Sequence, residues 1–293
     1  MMFYTKANNS KSFVYHRMAM IAGWRSGALT FQDAILLALP ARILPRRNEL
    51  TSRYESFLNE QSEKEIRTFM DKDYPNVFEN ILGNSKLSLI FQIFVKDEYK
   101  AKSFLKPDSV VIDAGGNIGI FAIFSSLHCP QGKIFSFEPV TKTYGIMLEN
   151  IKKYPNIRAM NIGLGEKGGD QTILTSSWNA GISAVSDSSL ALKNSRFFDG
   201  SEKIQIITID DMVEHEHISH VDVIKIDTEG YEASILKGAQ KTIFRDKPII
   251  TMSAYHNKDD KTDLPKILKA ICPEYKCEQY NRYEEDMVCS VTS

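Results

Sequence analysis

The chain is predicted to be an α/β protein: a mostly parallel sheet with helices on both faces, preceded by a helical N-terminal region. Three observations carry this. From about Lys102 onward, short β-branched runs alternate with segments of helical period. A glycine-rich turn follows the first run directly, within SVVIDAGGNIG at Ser109–Gly119. A second run, Lys133–Phe137, leads into Glu138, which lies 23 residues after Gly115.

The elements follow in order. Val110–Ile112 is a short apolar run, as expected for a strand buried on both faces. Asp113 ends it. Ile118–Leu127 is apolar enough to be a helix packed on the sheet. Lys133–Phe137 is the second strand. Tyr144, Met147, Leu148 and Ile151 then recur at helical spacing, with Thr141 placed to cap that helix. Arg158–Ile162, Val221–Ile226 and Pro248–Ser253 read as strands three to five. Tyr231–Phe244 reads as one helix, and Leu264, Ile267, Leu268 and Ile271 mark another after Thr262. Met287–Val291 closes the sheet as an antiparallel strand. Between strands three and four, Gln171–Thr175 and Lys203–Ile209 form an inserted hairpin around the polar Ser176–Gly200. Ahead of the sheet, Phe13–Trp24, Phe31–Leu39 and Ser52–Met70 read as helices, and Ser88–Val95 as a strand or a buried helix. The expected division is residues 1–87 and 88–293.

The acid-turn-strand-acid series suits an adenosine carrying a charged, reactive tail. A dinucleotide site would bring a pyrophosphate to the turn, where Asp113 would repel it. A carboxylate there suits an ammonium, which S-adenosylmethionine carries, and its ribose would meet Glu138. S-adenosylmethionine is therefore the cofactor expected, with a dinucleotide, or neither, as the alternatives.

Hydrophobic content of 43%, charged content of 25% and a net charge of −1 are ordinary for a soluble protein and argue against nucleic acid as partner. The charge is uneven: residues 1–50 carry seven Lys or Arg against two Asp or Glu, leaving −6 for the remainder. That basic segment leaves open a contact with a membrane surface or with a second copy of the chain in a homo-oligomer. Cys129, Cys272, Cys277 and Cys289 form no zinc spacing and are read as reduced thiols in a cytoplasmic protein. No signal peptide is read at Met1–Ser10, and Ala34–Leu39 is too short to span a bilayer.

VVIDAGGNIG, the FEP ending at Pro139, ITIDDM at Ile207–Met212, VDVIKIDTEGYEASILKGA at Val221–Ala239 and the SAYH ending at His256 occur in order. Together they resemble the FkbM-type family of S-adenosylmethionine-dependent methyltransferases, over about Ser88–Val291. The resemblance implies the class I Rossmann-like methyltransferase fold. It also implies O-methyl transfer to a hydroxyl, typically of a sugar in a glycan, glycolipid or secondary metabolite. Two departures stand out. Gly116 occupies a position where the family more often has alanine, and Ser253 stands near the glutamate of the family's Glu-x-His.

An alcohol is a poor nucleophile at neutral pH, so a base is expected at the C-terminal ends of the strands. Lys225, Asp227 and Glu229 end strand four and His256 ends strand five, making these the candidate catalytic residues. A helix cap at Asp227, a dipole-stabilising carboxylate at Glu229, a salt bridge at Lys225 and a surface histidine at His256 are the structural alternatives. Asp113, Gly115, Asn117, Gly119 and Glu138 are the candidate cofactor contacts, with Asn161 and Gly163 framing the adenine. Trp178, Asn179 and Gly181 are candidates for the acceptor pocket. His215, His217 and His220 are read as a solvated segment. No metal is assigned, although Asp227 and Glu229 leave a divalent ion open. The competing functions are a nucleotide-dependent oxidoreductase and a Rossmann-like module that binds without turnover. NAD or NADP binding would mark the first, and absence of methyl release the second.

Overall fold

The computed structural model describes residues 63–83, 86–176, 183–186, 198–279 and 286–291. The expectations for Phe13–Trp24, Phe31–Leu39, Trp178, Asn179 and Gly181 lie outside the described residues, as does most of Ser52–Met70. The chain divides into residues 1–78 and 79–293. In the first unit, residues 63–73 are helical. Ile66 and Met70, one turn apart, are buried, while Arg67 pairs with Glu63 at 3.2 Å and covers the Phe78 ring.

The second unit opens with α1 (Lys86–Ile90), which passes into a π-helical turn at Phe91–Val95. Seven strands build the main sheet: β1 (Val110–Ala114), β2 (Lys133–Phe137), β3 (Ile157–Met160), β8 (Val223–Ile226), β9 (Ile249–Ser253), β10 (Tyr275–Gln279) and β11 (Asp286–Val291). Their order is β10-β11-β9-β8-β1-β2-β3. The five strands from β9 to β3 are parallel, and β11 runs antiparallel between β9 and β10. A smaller sheet, β4 (Gly163–Leu164), β5 (Gly169–Thr175), β6 (Ser183–Val185) and β7 (Gly200–Ile207), holds the expected hairpin as the β5–β7 pair. Among the described residues the further α-helices are α2 (Ile120–His128), α3 (Thr141–Ile151), α4 (Ile209–His215), α5 (Glu232–Lys237), α6 (Gln240–Asp246) and α7 (Asp260–Ile271).

Alternation along the strands sends successive side chains to opposite faces. On one face Ile112, Ala114, Ile224, Ile226, Ile250 and Met252 join Ile235, Leu236, Ile243, Leu264 and Leu268 of α5, α6 and α7 in a continuous core. Full burial of each isoleucine, leucine or methionine in this set stabilises the fold by about 1.5–3 kcal/mol. The other face carries Val111, Asp113, Val223, Lys225 and Thr251. There α2 approaches, with its Phe121 ring 5.7 Å from the Lys225 ammonium. This polar stripe on a buried face is what positions the site.

Three expectations are corrected, and one strand is additional. Tyr231–Phe244 is two helices, because the chain turns at Gly238 and Ala239 between α5 and α6. A Cβ at Gly238 would lie 1.9 Å from the Gly165 carbonyl oxygen, so this close approach requires glycine and a straight helix does not fit. Thr141 does not cap α3 from outside. It is the first helical residue, and its N–H and hydroxyl both donate to Glu202. The cysteines are not all reduced: Cys277 and Cys289 are register partners on β10 and β11 and form a disulfide, while Cys129 and Cys272 are free and buried. Finally, β10 was not anticipated. Among the described residues no helix is long and apolar enough to cross a membrane.

Candidate active site

A buried polar row crosses the middle of the main sheet. Ser136, Asp113, Lys225 and Thr251 are successive register partners on β2, β1, β8 and β9. The Asp113 carboxylate is 0% exposed, accepts from the Ser136 hydroxyl at 2.7 Å and pairs with the Lys225 ammonium at 3.0 Å. Lys225 also donates to the Gly115 carbonyl at 2.7 Å. The ion pair thus anchors the glycine turn from beneath. Thr251 donates to the Tyr99 carbonyl at 3.1 Å, fixing the segment that brings Tyr99 over Lys225.

The turn itself has no room for side chains. Gly115 has φ +82°, and a Cβ there would lie 1.9 Å from the Asp227 carbonyl oxygen. At Gly116 a Cβ would meet the Ser136 hydroxyl at 2.2 Å and the Met147 methyl at 2.5 Å, so a larger residue would require both side chains to shift. The Asn117 N–H donates to Glu138 Oε2 at 3.0 Å, and the Val140 N–H to Glu138 Oε1 at 2.9 Å. Asn161 Nδ2 donates to the carbonyls of Glu138 and Pro139, locking the end of β2. Burial pushes the Glu138 carboxyl up to about 7, against the opposing pull of those two N–H groups and Lys225.

Beyond the end of β8, charged groups converge. Glu232 Oε1 accepts from the N–H groups of Thr228 and Gly230 at 3.0 and 3.2 Å and faces His256 Nδ1 at 2.9 Å. It thereby organises the loop carrying Glu229, whose φ of +55° is left-handed. His256 Nε2 faces Glu229 Oε2 at 3.4 Å and Asp227 Oδ1 at 3.9 Å. Burial alone would lower the His256 pKa, but Glu232, Glu229 and Asp227 outweigh it and push it up to about 10. Three carboxylates around the ring thus hold its proton more tightly than an ordinary histidine does. Asp227 accepts from the Tyr99 hydroxyl at 2.6 Å. Burial would raise its carboxyl, yet Lys225, His256, Tyr99 and Ser253 together hold it below the ordinary value. Tyr99 is pushed well above its ordinary value by burial and by Asp227, so its hydroxyl stays a donor.

Two regions therefore meet at the C-terminal edge of β1 and β8, a glycine turn with Glu138 on one side and the carboxylate–histidine cluster on the other. Lys225 occupies the salt bridge that was the structural alternative to catalysis. Asp113 faces Lys225 and Ser136 rather than open space. Gly119 precedes α2 with φ +89°, and Gly163 lies in β4 against Ile206. His215 is a largely exposed histidine at the end of α4. Glu232 and Tyr99 were not selected from sequence. Glu232 lies within VDVIKIDTEGYEASILKGA, where the helix after strand four begins. Tyr99 belongs to no motif.

The donor set can be tested against an adenosine cofactor with an amino-acid tail. Asn117 Oδ1 is buried with no hydrogen-bond partner among the described residues. The Glu138 carboxylate is buried, and the donors on it among the described residues are the backbone N–H groups of Asn117 and Val140. Hydroxyl and ammonium donors from such a ligand would satisfy both, and the turn lets a ligand approach the backbone closely. The residues fit.

The family model described as the methyltransferase FkbM domain matches residues 113–282. The chain is 29% identical over 183 residues to hexuronic acid methyltransferase AglP of Haloferax volcanii, a match covering 62% of this chain and 70% of that protein. It is 25% identical over 154 residues to 2-O-methyltransferase NoeI of Sinorhizobium fredii, covering 50% of this chain and 63% of that one. A crystal structure of methyltransferase FkbM from Methylobacillus flagellatus aligns with a TM-score of 0.47 at 17% identity, over 80% of this chain and 59% of the other.

Proposed function

The chain belongs to the FkbM methyltransferase family, and on that premise we propose that it transfers a methyl group from S-adenosylmethionine to the hydroxyl of a sugar. The observation that carries this reading is the carboxylate cluster of Asp227 and Glu229 around His256, at the strand ends beside the glycine turn. The names of AglP and NoeI support a sugar hydroxyl as acceptor.

The cofactor supplies an electrophilic methyl group on a sulfonium. In this reading Asn117, Glu138, Asn161 and the backbone at Gly115 and Gly119 hold it. Asp113 acts through Lys225, as the buried counter-charge that keeps the turn in place. Glu229 is 30% exposed, the most open carboxylate of the cluster, and takes the acceptor's hydroxyl proton. Asp227, kept ionised by its neighbours, accepts a hydrogen bond that orients the acceptor. The His256 imidazolium holds both carboxylates in place and does not serve as the base. Fixed positioning of this kind supplies much of the acceleration in a displacement reaction.

The test is methyl release. Purified chain with labelled S-adenosylmethionine and a panel of hexoses and hexuronic acids should yield a methyl ether on one sugar. Transfer to a nitrogen or carbon acceptor instead, or none to any sugar while S-adenosylhomocysteine still binds, would sink the reading.

A second expectation concerns pH. Glu138 is raised from an ordinary 4.5 to about 7, so the folded chain holds this proton more tightly than the unfolded one. Its contribution to stability therefore falls as pH climbs from 4.5 to 7. Ribose recognition needs the ionised form, so S-adenosylhomocysteine should bind more tightly as pH rises through 7. Glu138→Gln should abolish that pH dependence and weaken binding by about 1.5–3 kcal/mol at high pH. Calorimetry across the range decides it, and a flat profile for the parent protein would count against Glu138 as the ribose contact.

A further inference from the structure

We propose that Asp227, Glu232 and His256 form a binding site for a divalent cation of the magnesium or manganese class. One ligand atom from each lies within 4.8 Å of the others. His256 coordinates only as the neutral ring, so the entering ion displaces the proton that the carboxylates hold there in its absence. Ligands around an ion bonded at about 2.1 Å stand roughly 3–4.2 Å apart, so a small closure brings this set to coordination distance. The three residues come from the end of β8, the start of α5 and the segment after β9, and they converge where the acceptor is expected to lie.

A second observation points to a ligand. Glu232 is 0% exposed, and while its Oε1 is held by Thr228, Gly230 and His256, its Oε2 is buried with no hydrogen-bond partner among the described residues. A buried carboxylate oxygen left unpartnered is costly, and a cation is the partner that its charge calls for. Glu229 Oε2, 3.4 Å from His256 Nε2, brings a third carboxylate to the same place.

The donor chemistry selects the class of ion. Carboxylates outnumber the single imidazole, and none of the three residues is a thiolate. Oxygen-rich sets suit magnesium and manganese, whereas thiolate and multiple-imidazole sets suit zinc and copper. The role of the cation rests on the proposed function: bound there, it would polarise the acceptor hydroxyl and ease loss of its proton to Glu229. Binding itself does not depend on that reading.

The experiment therefore measures binding first. Full-length protein stripped with a chelator is titrated with Mn2+, without cofactor or acceptor, following free Mn2+ by electron paramagnetic resonance. One Mn2+ per chain is expected at micromolar concentration. Asp227→Asn and His256→Gln should each weaken it at least about tenfold while circular dichroism stays that of the folded chain. Glu232→Gln serves as a third variant, because removing its hold on the Thr228–Gly230 loop risks misfolding. No Mn2+ bound up to millimolar concentration, or unchanged binding in Asp227→Asn and His256→Gln, overturns the site. Methyl release is then measured separately. Undiminished release in excess chelator by a chain that binds no Mn2+ overturns the cation site and leaves the proposed function standing. Mn2+ held by these residues without methyl release to any sugar supports the site and overturns the function.

Discussion

Lys225→Met is expected to destabilise the chain by about 3–5 kcal/mol, the penalty for leaving one partner of a buried ion pair uncompensated. The side chains of Lys225 and Asp113 are 4% and 0% exposed and 3.0 Å apart. Methionine fills much of the lysine volume, so packing changes little and the charge effect dominates. Asp113 would keep only the Ser136 hydroxyl, and the Gly115 carbonyl would lose its ammonium donor. The double variant Lys225→Met with Asp113→Leu should recover part of the loss, because replacing a whole buried pair by apolar groups is often close to neutral. Urea denaturation of the parent, single and double variants measures this. A single variant within about 1 kcal/mol of the parent, or a double variant no more stable than the single, would mean that the pair does not hold the centre of the sheet.

The sequence discloses what local pattern determines. Val110–Ile112 is apolar on both sides of the pleat, so a strand covered on both faces follows, and the glycine run after it needs a turn that only glycine can make. The β5–β7 hairpin and the closing strand β11 were legible for the same reason, as alternation over several residues. β10 was not. Its core-facing Tyr275 is followed by Lys276, Cys277, Glu278 and Gln279, a polar edge strand whose identity comes from pairing with β11. The disulfide depends on that same pairing and so could not be seen in the spacing of the cysteines. The candidate site divides in the same way. Asp227, Glu229 and His256 stand at strand ends, where an open α/β sheet presents its chemistry, and the pattern locates them. The Tyr99–Asp227 hydrogen bond joins residues 128 apart, with Tyr99 in a segment that carries no motif. The charge state of His256 depends on three carboxylates meeting in space, and spacing along the chain does not reveal that two of them lie on either side of its ring.

Glu229→Gln is expected to lower kcat by about 10²–10⁴-fold, the usual contribution of a general base. Affinity for S-adenosylhomocysteine should change little, because Glu229 lies across the site from Glu138 and Asn117. Glutamine keeps the shape of the side chain and tolerates the loop conformation as glutamate does, so the substitution removes the proton acceptor and little else. Asp227→Asn makes the informative comparison. Its carboxylate orients the acceptor, so its loss should raise KM for the sugar as well as lowering kcat, whereas Glu229→Gln should act on kcat with KM for the sugar nearly unchanged. Steady-state kinetics with whichever sugar accepts the methyl group in the panel assay separates the two patterns. If Glu229→Gln stays within a few-fold of the parent in kcat, the proton leaves by another route. If instead it mainly raises KM for the sugar, Glu229 binds the acceptor, and the base must be sought at Asp227.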